Sequence, residues 1–267
     1  MGRILYKTDQ QIEGIRASNH MVGKAHEQVA MALKPGVKTI ALDKIAREYI
    51  LDNGGIPSFL NYHGFPNTLC ISVNDVVVHG IPSNYQIKEG DIVSVDCGVE
   101  LDGYHGDSAF TYAVGSVTEE VWDLMKATRE SLNKAIEVAI HGNRLGDIGF
   151  AVENHVKQRG YSVVREMTGH GVGLQLHEAP TVLNYGKKGR GKMLKNGLTI
   201  AIEPMVNLGG NEIYIDSDDG WTARTLDGKH SAHYELSIAV RNGKADVLST
   251  FKYIEEAIAK NDYISSP

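Results

Sequence analysis

Apolar residues recur at helical spacing over Ile12, Ile15, Met21, Val22, Ala25 and Val29, after a Thr8 and Gln11 pair spaced as a capping box and before a Pro35-Gly36 stop. This predicts a first helix. A second is expected from Thr39 as its cap, through Ile40, Ile45, Ala46, Tyr49 and Ile50, to Gly54-Gly55. The period then changes. After SFLNYHGFPNTLC, an aromatic stretch broken by Gly64 and Pro66 and read as a loop, LCISV and VVVH read as a hairpin about Asn74-Asp75 that ends at His79-Gly80. Val93, Val95, Cys97 and Val99 alternate as one face of a strand, and Asp102-Gly103 predicts a tight turn into a second strand reaching Thr111.

The same order follows once more. Thr118, with Glu119 and Glu120 behind it, starts a helix whose stripe runs through Val121, Leu124, Met125, Leu132, Ala135, Ile136 and Ala139 to Gly142. Ile148, Ala151, Val152 and Val156 mark another helix, ending near Gly160. YSVVREM, LTIAIEPMV, EIYI after a hairpin about Gly209-Gly210, and YELSIAV then read as strands. Helix, helix, strands thus occurs twice. It predicts an α+β architecture of two pseudo-symmetric halves, each with helices on one side of a largely antiparallel sheet. No Pro/Ser-rich or low-complexity stretch separates the halves, so residues 1–267 are expected to form a single domain. FKYIEEAIAKNDYISSP adds a last short helix and a tail.

Two acids interrupt the strand pattern, where Asp is normally depleted. With Leu101 and Tyr104 flanking the turn, Gly98 falls opposite Asp107 and Asp96 opposite Ala109. The carboxylates then share a face on diagonal positions, about 7 to 8 Å apart at the backbone, with Gly98 leaving open space beside them. Like charges at that range need a cation between them or a solvated face. This stretch alone leaves both readings open.

Composition narrows the classes. The chain has 267 residues, a formal net charge of -6 and two cysteines, Cys70 and Cys97. No basic run is dense enough for a phosphate-backbone partner, so nucleic-acid binding is disfavoured. The cysteines form neither a CxxC pair nor a zinc-ribbon spacing, which fits a reducing compartment. MGRILYKTDQQ lacks the apolar stretch of a signal peptide, Tyr6 breaks the myristoylation pattern, and no window approaches the roughly 20 apolar residues of a membrane span. These features predict a soluble cytoplasmic protein without a membrane partner.

A two-carboxylate site is incomplete, and the second half offers further donors. In TGHGVGLQLHEAP, His170 lies between Gly169 and Gly171, with His177 further on. Leu174 stands where GxGxxG needs its last glycine, and Thr181 where HExxH needs its second histidine, so neither a dinucleotide fold nor a zincin is supported. In LTIAIEPMV, Glu203 falls on the face opposite Leu198, Ile200 and Ile202, followed by Pro204; in YELSIAV, Glu235 opens the strand beside Ser237 and Ala239. A histidine beside glycine is by itself more often structural. In combination, carboxylates set among apolar strand residues are hard to explain as solvated charges and together would hold two divalent ions.

The ordered set VDCGVELDGYHGD, TGHGVGLQLHE, IAIEPM and HYELSIAV resembles the methionine aminopeptidases of the pita-bread fold, and the short chain is similar to their bacterial type I members. The resemblance covers nearly the whole sequence. It implies dimetal ligands at Asp96, Asp107, His170, Glu203 and Glu235, and substrate-facing histidines at His79 and His177. It implies a methionine pocket from Tyr62, Phe65, Cys70 and Trp221, with Phe59 and Leu176 at two more positions; Leu176 replaces an aromatic wall. Asn74, Val76 and Ser231 match a monovalent-cation site for Na or K.

The implied reaction is attack of an ion-activated water on the first peptide bond of a nascent chain, with Glu203 as the base, His177 at the carbonyl and His79 at the amide nitrogen or incoming chain. Free-amine recognition would restrict removal to one residue, and a cramped site beyond it would select a small second residue. A monomer that meets its substrates at the ribosome is expected, and an oxygen-rich donor set with a single His is compatible with Co, Mn, Fe(II) or Zn. The Met-Gly start makes the chain a candidate for loss of its own Met1. Two alternatives are a proline-directed aminopeptidase of the same fold, whose separate N-terminal domain has no room in the roughly ninety residues before Asp96, and a non-catalytic pita-bread binding module, which would typically have lost ligands.

Overall fold

Thr8 caps helix α1 (Asp9–Ala32) reciprocally: its hydroxyl accepts from the Gln11 amide, and the Gln11 side chain accepts from the Thr8 amide. These details come from a computed structural model that describes residues 2–267. Met1, and with it the expectation of its removal, lies outside the described residues. Helix α2 (Thr39–Asp52) departs from the expected cap, since Lys38 is the N-cap and the Thr39 hydroxyl engages Ser83, accepting its N–H at 2.8 Å. Helices α3 (Glu119–Val138) and α4 (Leu145–Gln158) pack on one another, and α5 (Lys252–Ile258) packs on α1.

The central hairpin has the register its turn predicts. Asp102 and Gly103 both have positive φ, 52° and 81°, as a two-residue type I′ turn requires. Leu101 pairs with Tyr104, Gly98 with Asp107 and Asp96 with Ala109. Strand Ile92–Leu101 also pairs with Leu69–Val73 and Ile56–Pro57, and Tyr104–Val114 with Ile264–Ser265, giving an antiparallel five-stranded sheet under α1. A second five-stranded sheet contains Asp246–Val247, Leu236–Ala239, Thr199–Ile202, Gly169–Gly171 and Glu178–Val182 in that order. Val93, Val95, Phe110, Ile200 and Ile238 belong to one buried cluster, so both halves share a core.

Two expected strand pairings change, and one expected strand is shorter. LCISV and VVVH form no ladder with each other: Leu69–Val73 stays in the first sheet, while Val76–Val78 pairs with Ala223–Thr225. The Asn74 side chain explains the divergence, since it donates to Asp91 at 2.8 Å and accepts from the Ile92 amide at 3.0 Å, tying the turn to another strand. YSVVREM contributes only Ser162–Val163. Gly209-Gly210 closes no hairpin either, because Met205–Asn207 pairs with Ser231–His233 and Ile213–Ile215 pairs with Ala223–Thr225.

LTIAIEPMV is broken in two by Pro204, which has no N–H for a ladder. Thr199–Ile202 lies in the second five-stranded sheet, and Met205–Asn207 in a three-stranded sheet with Ser231–His233 and Ser162–Val163. The strands paired with these two break at the same level, between Ser231–His233 and Leu236–Ala239. Glu203 and Glu235 therefore lie in the crossings between strands, and Glu235 precedes its strand rather than opening it.

Candidate metal centre

Asp96 and Asp107 project from neighbouring strands of the hairpin, and the chain around Asp107 is tightly held. Its amide donates to Asn19 Oδ1 at 3.1 Å, and its carbonyl accepts from Ser237 Oγ at 2.8 Å. The open space expected beside Gly98 is filled by Phe59: a Cβ at 98 would meet that ring at 2.6 Å. Glycine is needed because an aromatic wall lies against the backbone.

His170 sits in Gly169–Gly171 between two strands. Its neighbours must be small, since a Cβ at 169 would meet Ala201 O at 2.4 Å and one at 171 would meet Ala179 O at 2.5 Å. His170 Nδ1 donates to Gly171 O at 2.9 Å, which leaves the Nε2 lone pair directed at the acids. Nε2 lies 3.8 Å from Asp107 Oδ2 and 3.5 Å from Glu203 Oε1. Asn184, fully buried, donates to the Glu203 carbonyl at 2.9 Å, while Glu235 is anchored by Ala109 O at 2.9 Å and Ser108 Oγ at 2.8 Å.

One cavity of about 340 Å³ is lined by all five of these residues together with His79, His177, Phe59, Tyr62, Phe65, Cys70, Leu176 and Trp221. The last six divide into a buried cluster of Phe59, Phe65, Cys70 and Leu176, with Tyr62 and Trp221 packed against it. Trp221 meets Phe65 edge-on at 5.3 Å, and His177 lies between Tyr62 and His170, at ring distances of 5.1 and 4.2 Å. Asn74, Val76 and Ser231 do not line this cavity; the Ser231 amide donates to Asn74 O at 2.8 Å, and Val76 lies on the adjoining strand.

The electrostatics are those of an acid cluster deprived of water. Burial pushes Asp96 up to about 7, with the Glu203 charge adding to the shift and His233 opposing it. Burial likewise raises Glu203 to about 7, opposed by His170. Asp107 and Glu235 are driven well above the carboxylate range by burial and then by their acidic neighbours. Burial pulls His79 down to about 4, and His177 to about 3 with help from His170 and His79, so both are neutral at neutral pH. No Lys or Arg lines the cavity among the described residues.

Sequence reasoning missed His233, which is 1% exposed and places Nε2 3.7 Å from Glu203 Oε2. It also missed His63, Val78, Met205 and the run Glu166, Met167 and Thr168 along the cavity wall. His233 stands in the stretch HYELSIAV, two residues before Glu235, where strand alternation would have put both on one face.

The model of metallopeptidase family M24 matches residues 13–242. The chain belongs to this family. Within M24 it is 45% identical to the methionine aminopeptidase of Clostridium perfringens, over 93% of this chain and 100% of that protein. A crystal structure of methionine aminopeptidase from Rickettsia prowazekii superposes with a TM-score of 0.91 at 38% identity, over 93% of this chain and 100% of that one. The pita-bread arrangement of two helix-and-sheet halves is thus the fold of this M24 chain. A Xaa-Pro dipeptidase from Bacillus anthracis shares the fold with a TM-score of 0.76 at 21% identity, and the chain spans only 62% of it.

An M24 metallopeptidase requires divalent metal, and the donor set fits one. Asp107, His170 and Glu235 each offer a ligand atom, all within 4.8 Å of one another. Asp96 Oδ1, Asp107 Oδ1 and Glu235 Oε1 are buried without any hydrogen-bond partner. Burying such oxygens costs several kcal/mol unless a cation satisfies them.

Proposed function

We propose that this M24 chain removes N-terminal methionine from polypeptides whose second residue is small, by metal-assisted hydrolysis of the first peptide bond. The observation that supports this most is the convergence of Asp96, Asp107, His170, Glu203 and Glu235 in one cavity with an aromatic and sulfur-containing pocket. Phe59, Tyr62, Phe65, Cys70, Leu176 and Trp221 suit a flexible, polarizable thioether.

In this reading residues 1–267 act as one catalytic domain holding two divalent ions. Asp96, Asp107, His170, Glu203 and Glu235 would together hold them. An oxygen-rich set with one imidazole accepts Co, Mn, Fe(II) or Zn. Such ions supply Lewis acidity and bring the pKa of a bound water toward neutrality. Glu203 accepts the proton of the attacking water and returns it to the leaving amine. His177, neutral through burial, donates to the scissile carbonyl, and His79 contacts the amide nitrogen or the chain that follows. A Na or K ion at Asn74, Val76 and Ser231 completes the assignment. The substrates are nascent chains met by a cytoplasmic monomer at the ribosome.

Matched peptides beginning Met-Gly, Met-Leu, Leu-Gly and Ala-Pro test the reading with metal-stripped protein to which Mn(II) is restored. Release of the first residue from Met-Gly alone is expected. Release only from Ala-Pro would transfer the chain to proline-directed chemistry, and no release despite bound metal would leave a binding module.

A further inference from the structure

His233 ends strand Ser231–His233, and its backbone is clamped on both sides by one hydroxyl. Its amide donates to Thr111 Oγ1 at 3.0 Å, and its carbonyl accepts from the same oxygen at 2.6 Å. The backbone at His233 is thereby held in place, and Nε2 is buried without any hydrogen-bond partner. The nearest acidic atom given by the geometry is Glu203 Oε2, at 3.7 Å. Glu203 therefore stands between two imidazoles, His170 facing Oε1 at 3.5 Å and His233 facing Oε2 at 3.7 Å.

We propose that His233 is a positioning residue for Glu203, donating its Nε2–H to Oε2 so that Oε1 is presented to the divalent ion. This rests on the metal-dependent reading above. A monodentate carboxylate ligand leaves one oxygen free, and that oxygen needs a donor if the carboxylate plane is to stay fixed. Unlike His170, whose Nδ1 contact to Gly171 O leaves Nε2 as a lone pair, His233 lies outside the cavity wall. Its ring is thus placed behind the ligand. The gap of 3.7 Å exceeds a formed hydrogen bond and closes by a small rotation of the Glu203 carboxylate once Oε1 is engaged.

The test is Mn(II) and Co(II) binding to metal-stripped protein by calorimetry, with the Co(II) visible absorption spectrum as a second readout. His233→Leu removes the donor; His233→Gln keeps an N–H of similar reach; His233→Asn keeps the amide but falls a methylene short. The expected result is a loss of roughly 10- to 100-fold in affinity for one of the bound ions in the Leu and Asn variants, with an altered Co(II) spectrum. Gln should restore both to near the parent. Parent-like affinity and spectrum in the Leu or Asn variant would overturn the proposal, and so would a Gln variant as weak as Leu, because the imidazole itself would then be a ligand. If His233→Leu does not fold, the Gln and Asn pair decides alone. Failure of the parent to bind metal would instead refute the metal-dependent reading.

Discussion

Glu203 stands across from Glu235 where two paired strands pass from one sheet into another. Met205 pairs with His233 on one side of the crossing and Ile202 with Leu236 on the other, and both registers match position 203 with 235. Two carboxylates are thus brought face to face by backbone pairing in two different sheets. Asp96 and Asp107 are brought together by a third pairing, the central hairpin.

Glu203→Gln is expected to lower kcat/KM for a Met-Gly peptide by at least about 100-fold, since it removes both a ligand and the base. Its metal-free form should fold. Calorimetry on the metal-stripped variant should show weakened binding of one ion, and a variant that kept full turnover would contradict the role given to Glu203.

The pH dependence of the metal-free chain follows from the raised acids. Glu203 keeps its proton up to about pH 7 when folded, against an ordinary value of 4.5. Between those values the folded state binds more protons than the unfolded state, so this group lowers stability as pH rises. His26, His79 and His177, pulled down by burial to about 4, 4 and 3, act in the opposite sense. The comparison that isolates the acid is metal-free Glu203→Gln against metal-free parent. The variant should gain on the parent in melting temperature from pH 5 to 8; a difference constant with pH would contradict the shift.

Lys7 and Glu178 form an ion pair with both side chains nearly inaccessible, at 1% and 2% exposure. Glu178 Oε1 also accepts from the amides of Leu174 and Gln175, at 2.7 and 3.1 Å, so the pair ties down the loop that bears Leu176 and His177. Lys7→Met should cost about 3 to 5 kcal/mol by leaving the carboxylate unpaired. The double variant with Glu178→Gln should recover part of that loss. Chemical denaturation measures both, and equal stability of single variant and parent would show that the pair holds nothing.

Gly98→Ala should raise KM for Met-Gly peptides several-fold while leaving metal affinity near that of the parent, because its Cβ would displace the Phe59 ring rather than the acids. Loss of metal with unchanged KM would contradict that division.

The fold was legible where local chemistry decides. The Thr8 capping box, the Asp102-Gly103 turn and hence the Asp96 and Asp107 positions follow from short-range rules that the structure obeys. Partners of strands away from this hairpin were not legible. VVVH sits next to LCISV in the chain, yet Val76–Val78 pairs with a strand far along the sequence, because Asn74 binds Asp91 and Ile92 instead of closing a hairpin. The crossing at Glu203 and Glu235 was half visible: Pro204 marks one break, while Tyr234 gives no such signal for the other. The resemblance supplied five site residues that share one cavity with the pocket residues. His233 was overlooked because its only signal in the sequence is the two-residue spacing to Glu235, while its burial and lack of a partner are visible in the structure alone.

The most direct test of the account is the release of free methionine from a Met-Gly peptide by metal-stripped protein, before and after Mn(II) is titrated in. The account predicts no release from the stripped protein and activity that rises with added ion. Undiminished release from fully stripped protein, or none at saturating metal, would contradict it.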